Sequence, residues 1–276
     1  GINALVAAEV VAAPGASALI AKLPLLTDAA GAYIPGPTYN EHQAAFAAHG
    51  NVTSADDAGL PTHVYVHPNN PDGRLWPSRA IGGRAGITIV DESFCDVAPE
   101  NSHIAQSTKP GVIILKSFGK FWGLAGLRLG FAIAAPGTLK GPTASLPDLL
   151  GPWAISGPAL HIAARALEDD AWAQTTRARL TQDAARLDAL LTAQGARLKG
   201  GTTLFRLYEV ADAKAAQHAL AQRHILTRIF PYSKTWIRLG LPPQQGWPQL
   251  EAALGTAGGA IRADAVSRGS AEPTTP

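Results

Sequence analysis

Residues 112–134 read VIILKSFGKFWGLAGLRLGFAIA, and this stretch decides how the rest of the sequence is interpreted. It begins with an apolar run, residues 112–115, and ends with a second apolar run, residues 129–134. Short, near-continuous apolar runs are typical of strands in a sheet that is covered on both faces. The glycine-rich segment between the runs therefore predicts a loop at the edge of a sheet, and this loop carries Lys120.

Two earlier segments have the same form, in which a short apolar run is followed by polar side chains. Residues 64–66 are followed closely by Asn70, and residues 87–90 are followed directly by Asp91. A helical pattern lies upstream of these runs at residues 41–49. Alternation of short apolar strands with helices is typical of the α/β class.

The second half of the sequence has a different character. It is rich in alanine and arginine with helical periodicity over residues 156–191, and residues 195–201 break this pattern. Strands are predicted at residues 203–208 and 236–239, with a helix at 211–223. We therefore expect a large α/β domain over residues 1–150, interdomain helices with a small α+β domain over 151–263, and a disordered tail over 264–276.

Composition argues against several classes of function. The chain has a net charge of only +2 and no run of five basic residues, so a nucleic-acid-binding stripe is not expected. No apolar stretch reaches the roughly 18 residues that a membrane-spanning helix needs. The single cysteine, Cys95, is typical of a reducing cytoplasm, and together with His63 and His67 it lacks the spacing of metal ligands.

Three side chains are predicted to meet at one edge of the sheet, because the carboxyl ends of parallel strands are where ligands bind. A lysine amine such as that of Lys120 forms an imine with an aldehyde. A carboxylate such as that of Asp91 keeps a pyridine nitrogen protonated, and the Asn70 amide can donate to a ring oxygen. Taken singly, these residues would be read as a solvated lysine, a helix cap and a turn residue, but the joint pattern favours a cofactor site.

A phosphate site is predicted beside them. Ala16 and Ser17 open an apolar run that predicts a helix, and backbone N–H groups at a helix start bind phosphate. Ser117 and Arg128 could add a hydroxyl group and a guanidinium group.

The motifs NNPDG at residues 69–73, DESF at 91–94 and SFGK at 117–120, with Arg128 eight residues after Lys120, resemble class I and II aminotransferases. The resemblance covers about residues 5–254, and within the family it is strongest to the threonine-phosphate decarboxylases of cobalamin biosynthesis. It implies fold type I, with a mostly parallel seven-stranded sheet in the large domain and a smaller α+β C-terminal domain. It also implies pyridoxal 5'-phosphate as cofactor and a homodimer.

The resemblance assigns roles to individual residues. Lys120 would bind the cofactor as a Schiff base, Asp91 would pair with its ring nitrogen, and Tyr39 would stack on its ring as the third catalytic residue. Asn70 would contact the 3'-oxygen. The residues implied to hold the cofactor phosphate are Ala16, Ser17, Ser117 and Arg128.

The same resemblance implies a substrate with two anionic groups. Arg238 would grip the substrate carboxylate and Arg228 the substrate phosphate, because arginine binds both anions in a bidentate manner. On other grounds Tyr39 could be a core aromatic residue, and the two arginines could form surface salt bridges.

Three functions remain open at this point. The first is decarboxylation of L-threonine O-3-phosphate to (R)-1-aminopropan-2-ol O-2-phosphate, which Phe94 favours because many aminotransferases have tyrosine there. The second is a histidinol-phosphate type of aminotransferase, and the third is a cofactor-binding remnant without turnover.

The sequence departs from the family pattern in two places. Family members carry a further N-terminal segment, and the helix within residues 67–85 is expected to be shortened to about one turn and interrupted by Gly82 and Gly83. His42 and His49 are expected on a solvated helix face.

Overall fold

The structure, a computed structural model, describes residues 8–27, 31–57, 59–81 and 86–263. The chain divides into two compact units, Gly1–Ala173 and Gln174–Pro276. The predicted tail over 264–276 and the two glycines at 82 and 83 lie outside the described residues.

The first unit contains a large sheet, which has seven strands among the described residues. The strands are β1 (Glu9–Ala13), β2 (Ala32–Tyr33), β3 (Thr53–Ser54), β4 (Thr62–Val66), β5 (Ile87–Asp91), β6 (Val112–Ser117) and β7 (Gly130–Ala134). Their order is β1-β7-β6-β5-β4-β2-β3, and β7 runs antiparallel to both of its neighbours while the remaining pairs are parallel. The predicted mostly parallel seven-stranded sheet is confirmed.

Helices accompany this sheet in the first unit. They are α1 (Ala16–Lys22), α2 (Asn40–Ala48), α3 (Ser78–Ile81), α4 (Leu146–Leu150) and α5 (Gly157–Glu168), and α6 (Asp170–Ala193) continues into the second unit. Helix α3 is described over four residues, and residues 82–85, which follow it, lie outside the described part of the chain. Helix α5 begins where Ser156 accepts a hydrogen bond from the backbone of Ala159 at 3.4 Å, as an N-cap serine does.

The central strands are buried on both faces, which explains their near-continuous apolar sequences. In β4, Val64 packs in the cluster that includes Leu19 of α1. The neighbouring Tyr65 points to the other face and packs in the cluster that includes Ile81 of α3. Helix α3 thus contributes a fully buried side chain to its face of the sheet.

The second unit is a smaller α+β unit, as predicted. Its described strands are β8 (Arg197–Thr202), β9 (Phe205–Glu209), β10 (Arg228–Phe230) and β11 (Ser233–Gly240), in the antiparallel order β10-β11-β9-β8. Its helices, besides the rest of α6, are α7 (Ala213–Ala221) and α8 (Trp247–Ile261).

The sequence analysis predicted only a break in the helical pattern at residues 195–201, but the structure has strand β8 there. The strand lies at an edge of the sheet, and its pairing with β9 shifts register between Leu198 and Gly200. An exposed edge strand with a bulge and two glycines lacks the alternation of apolar residues by which strands are identified.

None of the helices in the described part of the chain is long and apolar enough to cross a lipid bilayer. The same residues contain no group of three or more His, Cys, Asp or Glu side chains that could hold a metal ion.

Gly86 provides a test of the close approach between β4 and β5. A Cβ atom at Gly86 would lie 2.0 Å from the carbonyl oxygen of Pro61, and its φ is +89°. Gly137 has a similar φ of +83° but open space around it. We expect Gly137→Ala to lower the free energy of unfolding by about 1–2 kcal/mol through left-handed strain alone. Gly86→Ala should cost about 1–3 kcal/mol more because the backbone must also move.

Urea unfolding of both variants measures this difference. Equal losses in the two variants would contradict the close packing of Gly86 against Pro61.

Candidate active site

Strand register brings the predicted site residues of the first unit to one edge of the large sheet. Val66, Asp91 and Leu115 lie side by side at the carboxyl ends of β4, β5 and β6. The edge continues at Ser117, which pairs with Gly130 of β7. Since β7 also runs antiparallel to β1, the end of β1 and the start of α1 lie at this edge as well.

Asp91 is a buried carboxylate with three hydrogen bonds. It is 2% exposed, its Oδ2 lies 2.9 Å from His42 Nε2, and its Oδ1 accepts from the backbone N–H and the hydroxyl of Ser93 at 3.0 and 2.5 Å. Burial alone would raise the pKa of Asp91, but the contacts with His42 and Ser93 outweigh burial and hold the pKa below its ordinary value. The site therefore contains a fixed negative charge.

The prediction that His42 lies on a solvated helix face is wrong. His42 is 1% exposed and faces Asp91, whereas His49 is exposed as predicted. His42 and Phe46 are the two buried residues of α2, and they lie four positions apart on one helix face. That spacing with Phe46 was the signal in the sequence that could have placed His42 inward.

The loop that contains Asn70 is tied to the loop before α2 by its neighbour Asn69. The fully buried Asn69 accepts from Thr38 Oγ1 at 2.6 Å and donates to the carbonyl oxygen of Pro37 at 3.0 Å. It also donates to Asp72 Oδ1 at 2.7 Å. Asn70 is half-buried, and Asn69 thus brings its loop to the segment that carries Tyr39.

Tyr39 lies directly before α2, with its ring edge-on to the imidazole of His42 at 6.3 Å between centroids. Burial, followed by the charges of Glu41 and Asp91, raises the pKa of Tyr39 above its ordinary value. The phenol therefore stays neutral near pH 7 and can act as a hydrogen-bond donor.

Lys120 follows β6 in the glycine-rich loop that the sequence predicted. It is exposed, and its Nζ lies 5.3 Å from the centroid of the Phe94 ring, which belongs to the segment after β5. The amine is therefore accessible and next to an aromatic side chain that has no hydroxyl group.

Arg128 lies against the start of α1. Gly15 precedes α1 with φ +85°, and a Cβ atom there would lie 2.7 Å from Nη2 of Arg128. A Cβ atom at Gly130 would lie 2.6 Å from the backbone nitrogen of Ala16. The glycines thus allow a guanidinium group and a helix start to approach each other, and the exposed Ser17 and the buried Ser117 lie at the same edge.

Arg228 and Arg238 lie in the second unit, where they are directly opposite each other across the β10–β11 pair. The guanidinium of Arg238 lies 5.1 Å from the centroid of the Phe205 ring. Burial and, to a smaller extent, the positive charge of Arg228 lower the pKa of Arg238 below its ordinary value. The two arginines thus place two positive charges next to each other in the second unit.

A second buried carboxylate, Glu92, was missed by the sequence analysis. Its oxygens accept from Ser102 Oγ at 2.6 Å and from the backbone N–H of His103, and Oε2 lies 2.7 Å from Lys116 Nζ. Burial would lower the pKa of Lys116, but the charges of Glu92 and Asp96 raise it overall, so the amine stays protonated. Glu92 thus stabilises the packing of the loop after β5 against the end of β6.

Comparison with known proteins agrees with this architecture. The family model "Aminotransferase class I and II" matches residues 64–254. A threonine-phosphate decarboxylase from Sinorhizobium sp. is 42% identical over 247 residues, which cover 83% of this chain and 72% of that protein. A threonine-phosphate decarboxylase from Pseudomonas aeruginosa is 37% identical over 257 residues, covering 87% and 76%.

A solved structure shares the fold. Histidinol-phosphate aminotransferase from Sinorhizobium meliloti, in complex with pyridoxal-5'-phosphate, aligns with a TM-score of 0.75 and 22% identity. The alignment covers 90% of this chain and 76% of that one.

The lowered pKa of Asp91 predicts a pH-dependent stability. The pKa of Asp91 in the folded chain lies below the ordinary value of about 3.9. The stabilisation that the Asp91 carboxylate gives to the folded chain is therefore fully present above that pH, and it is lost as the pH falls towards the pKa of the folded chain. We expect the difference in free energy of unfolding between wild type and Asp91→Asn to shrink as the pH is lowered from about 5 to 3.

Urea unfolding of both proteins across this range checks the prediction. A difference that stays constant with pH would show that Asp91 titrates alike in the folded and unfolded chain.

Proposed function

This chain belongs to the class I and II aminotransferase family, and from that premise we propose that it decarboxylates L-threonine O-3-phosphate. The product would be (R)-1-aminopropan-2-ol O-2-phosphate, for cobalamin biosynthesis, with pyridoxal 5'-phosphate as the cofactor. The similarity to two threonine-phosphate decarboxylases over most of the chain carries this proposal.

The residues at the edge of the large sheet fit this cofactor. Its ring nitrogen requires a carboxylate, and Asp91 is buried and ionised there. Its phosphate requires an anion site, and Arg128 lies against the glycine that precedes α1. Its aldehyde requires an amine, for which we assign Lys120. The remaining assignments are Asn70 at the 3'-oxygen, Tyr39 on the ring face, and Ala16, Ser17 and Ser117 at the phosphate.

When bound, pyridoxal phosphate supplies a pyridinium ring that accepts the electron pair left as the α-carboxylate departs as carbon dioxide. Asp91 would hold the proton on the ring nitrogen, because its own proton affinity is lowered by His42 and Ser93. His42 would act through Asp91 as a positioning residue. Burial of this pair excludes water, which would otherwise screen the charge.

The substrate would be oriented by the two arginines. We assign the carboxylate to Arg238 and the substrate phosphate to Arg228, since two cations opposite each other in register suit two anions on one small molecule. A bond breaks readily only when it stands perpendicular to the cofactor ring, so the arginines would select which bond of the substrate is cleaved. Phe94, which lacks a hydroxyl group beside Lys120, supports the decarboxylase assignment over transamination.

A homodimer in the cytoplasm is the proposed state of the protein. Trp153 is 96% exposed and Leu167 of α5 is 56% exposed, and coverage of these side chains by a second copy of the chain would remove apolar surface from water. Burial, and next the charge of Glu92, raises the pKa of the single cysteine, Cys95, to about 12, which fits an unreactive thiol in a reducing compartment.

Release of carbon dioxide tests the proposed reaction. Purified protein with pyridoxal phosphate and threonine phosphate, but without any 2-oxoacid, should release carbon dioxide and form the aminopropanol phosphate. Transamination of histidinol phosphate without such release would instead support an aminotransferase. A yellow, borohydride-reducible protein that turns over neither substrate would support a remnant.

Replacing the proposed phosphate-binding arginine should affect the reaction of threonine phosphate more than that of unphosphorylated threonine. Arg228→Gln is expected to raise the KM for threonine phosphate by about tenfold or more, while turnover of unphosphorylated threonine changes little, because only the phosphate loses a charged partner. Lys234→Gln is the matched control, since Lys234 is an exposed cation of the adjacent strand β11.

Steady-state kinetics with both substrates measure the effect. Equal effects of Arg228→Gln on the two substrates would contradict the assignment of the phosphate to Arg228.

A further inference from the structure

The segment that carries Lys120 runs beside the segment after β5. Backbone pairing between β5 and β6 ends with Asp91 opposite Leu115, and the backbone nitrogen of Glu92 donates to the carbonyl oxygen of Leu115 at 3.0 Å. From this point onward, side chains link the two segments.

Three contacts occur in succession along the two segments. They are Lys116 Nζ to Glu92 Oε2 at 2.7 Å, Lys120 Nζ to the Phe94 ring centroid at 5.3 Å, and Trp122 Nε1 to Asp96 Oδ2 at 2.9 Å. The cofactor lysine is therefore held between two polar links, and both links run to acidic residues of the same short segment.

Asp96 connects the two links. Its Oδ1 lies 3.2 Å from Lys116 Nζ, and its Oδ2 accepts from the indole N–H of Trp122. The side chains of Lys116 and Asp96 are only 19% and 18% exposed, so these charge-assisted contacts are largely shielded from water. We call Asp96, Lys116 and Trp122 the Asp96 clamp.

Aromatic packing fixes the direction of the indole N–H. Trp122 stacks on Phe118 at 5.8 Å and on Trp172 at 5.7 Å between centroids, and Phe121 meets it edge-on at 5.1 Å. A ring packed in this way has little freedom to turn. The N–H group is thus already oriented towards Asp96.

We propose that the Asp96 clamp positions Lys120 for attachment of the cofactor, with Asp96 and Trp122 as positioning residues. This inference rests on the proposed role of Lys120. A lysine amine lies at the end of a flexible four-carbon chain, so the position of its backbone decides what the amine can reach. The clamp holds this backbone on both sides of Lys120, and Gly123 N also donates to the Lys120 carbonyl oxygen at 3.0 Å.

The rate of covalent attachment tests this inference. Trp122→Phe keeps an aromatic ring in the cluster but removes the N–H donor, and Trp172→Phe alters the same cluster while leaving the Trp122–Asp96 hydrogen bond in place. Each apo-protein is mixed with pyridoxal phosphate, reduced with borohydride at timed intervals, and peptide-mapped for label on Lys120. Visible circular dichroism of the bound cofactor is recorded in parallel, with thermal unfolding of each apo-protein as the folding control.

We expect Trp122→Phe to slow labelling of Lys120 by about tenfold to a hundredfold, because a small displacement of a reacting group costs this much. Its visible dichroism should also change. Trp172→Phe should label like wild type, and both variants should unfold at similar temperatures. Wild-type labelling rate and dichroism in Trp122→Phe would overturn the inference.

Asp96→Asn is the second variant, and it keeps the inference testable if Trp122→Phe does not fold. It preserves the shape of the acceptor but removes the charge that faces Lys116, so labelling should again slow at least several-fold, and an unchanged rate would overturn the inference. Label on a lysine other than Lys120 in the wild-type protein is a different outcome, because it would refute the proposed role of Lys120 and with it this inference, whereas a wild-type rate in the variants refutes the inference alone.

Discussion

A negative charge is buried at the carboxyl end of β5, and much of the neighbouring structure stabilises it. Placing a carboxylate such as Asp91 away from water costs several kcal/mol unless partners compensate. Ser93 supplies two hydrogen bonds from the turn after the strand, and His42 reaches Asp91 from α2. The position of α2 over the sheet, and with it that of Tyr39, is therefore linked to the stability of this charge.

The next residue along the chain, Glu92, is also a buried carboxylate, but its role differs from that of Asp91. It pairs with Lys116 and accepts from Ser102 and from the backbone of His103. These contacts join the loop after β5 to the end of β6. Two adjacent acidic residues thus serve two purposes, because one supplies charge to the proposed cofactor site and the other holds the neighbouring strands and loops in place.

Close backbone approach shapes the proposed phosphate site. Gly15 and Gly130 are the positions where a Cβ atom would collide with Arg128 and with the backbone of Ala16. Arg128 itself adopts a left-handed backbone conformation, with φ of 51°, and its side chain lies against Gly15. A guanidinium group beside a helix start can bind a phosphate, and the lack of side chains at the two glycines permits this close approach.

Local sequence by itself determined the α/β class, the central strands of the large sheet, Asp91 at the end of one of these strands, and Lys120 and Asn70 in the loops that follow two others. These features are encoded within a few residues, because apolar periodicity defines each strand and the polar side chains lie just beyond its last apolar position. The edge strands β8 and β10 were not predicted, because exposed, irregular strands lack that periodicity.

Only the tertiary structure decided which distant side chains meet. His42 lies 49 residues from Asp91, Thr38 lies 31 from Asn69, and Trp122 lies 26 from Asp96. The sequence predicted His42 to face solvent because no neighbouring residue indicates a buried charge opposite it. Such pairs depend on how helices and loops pack over the sheet, and that packing arises from the whole core rather than from any local pattern.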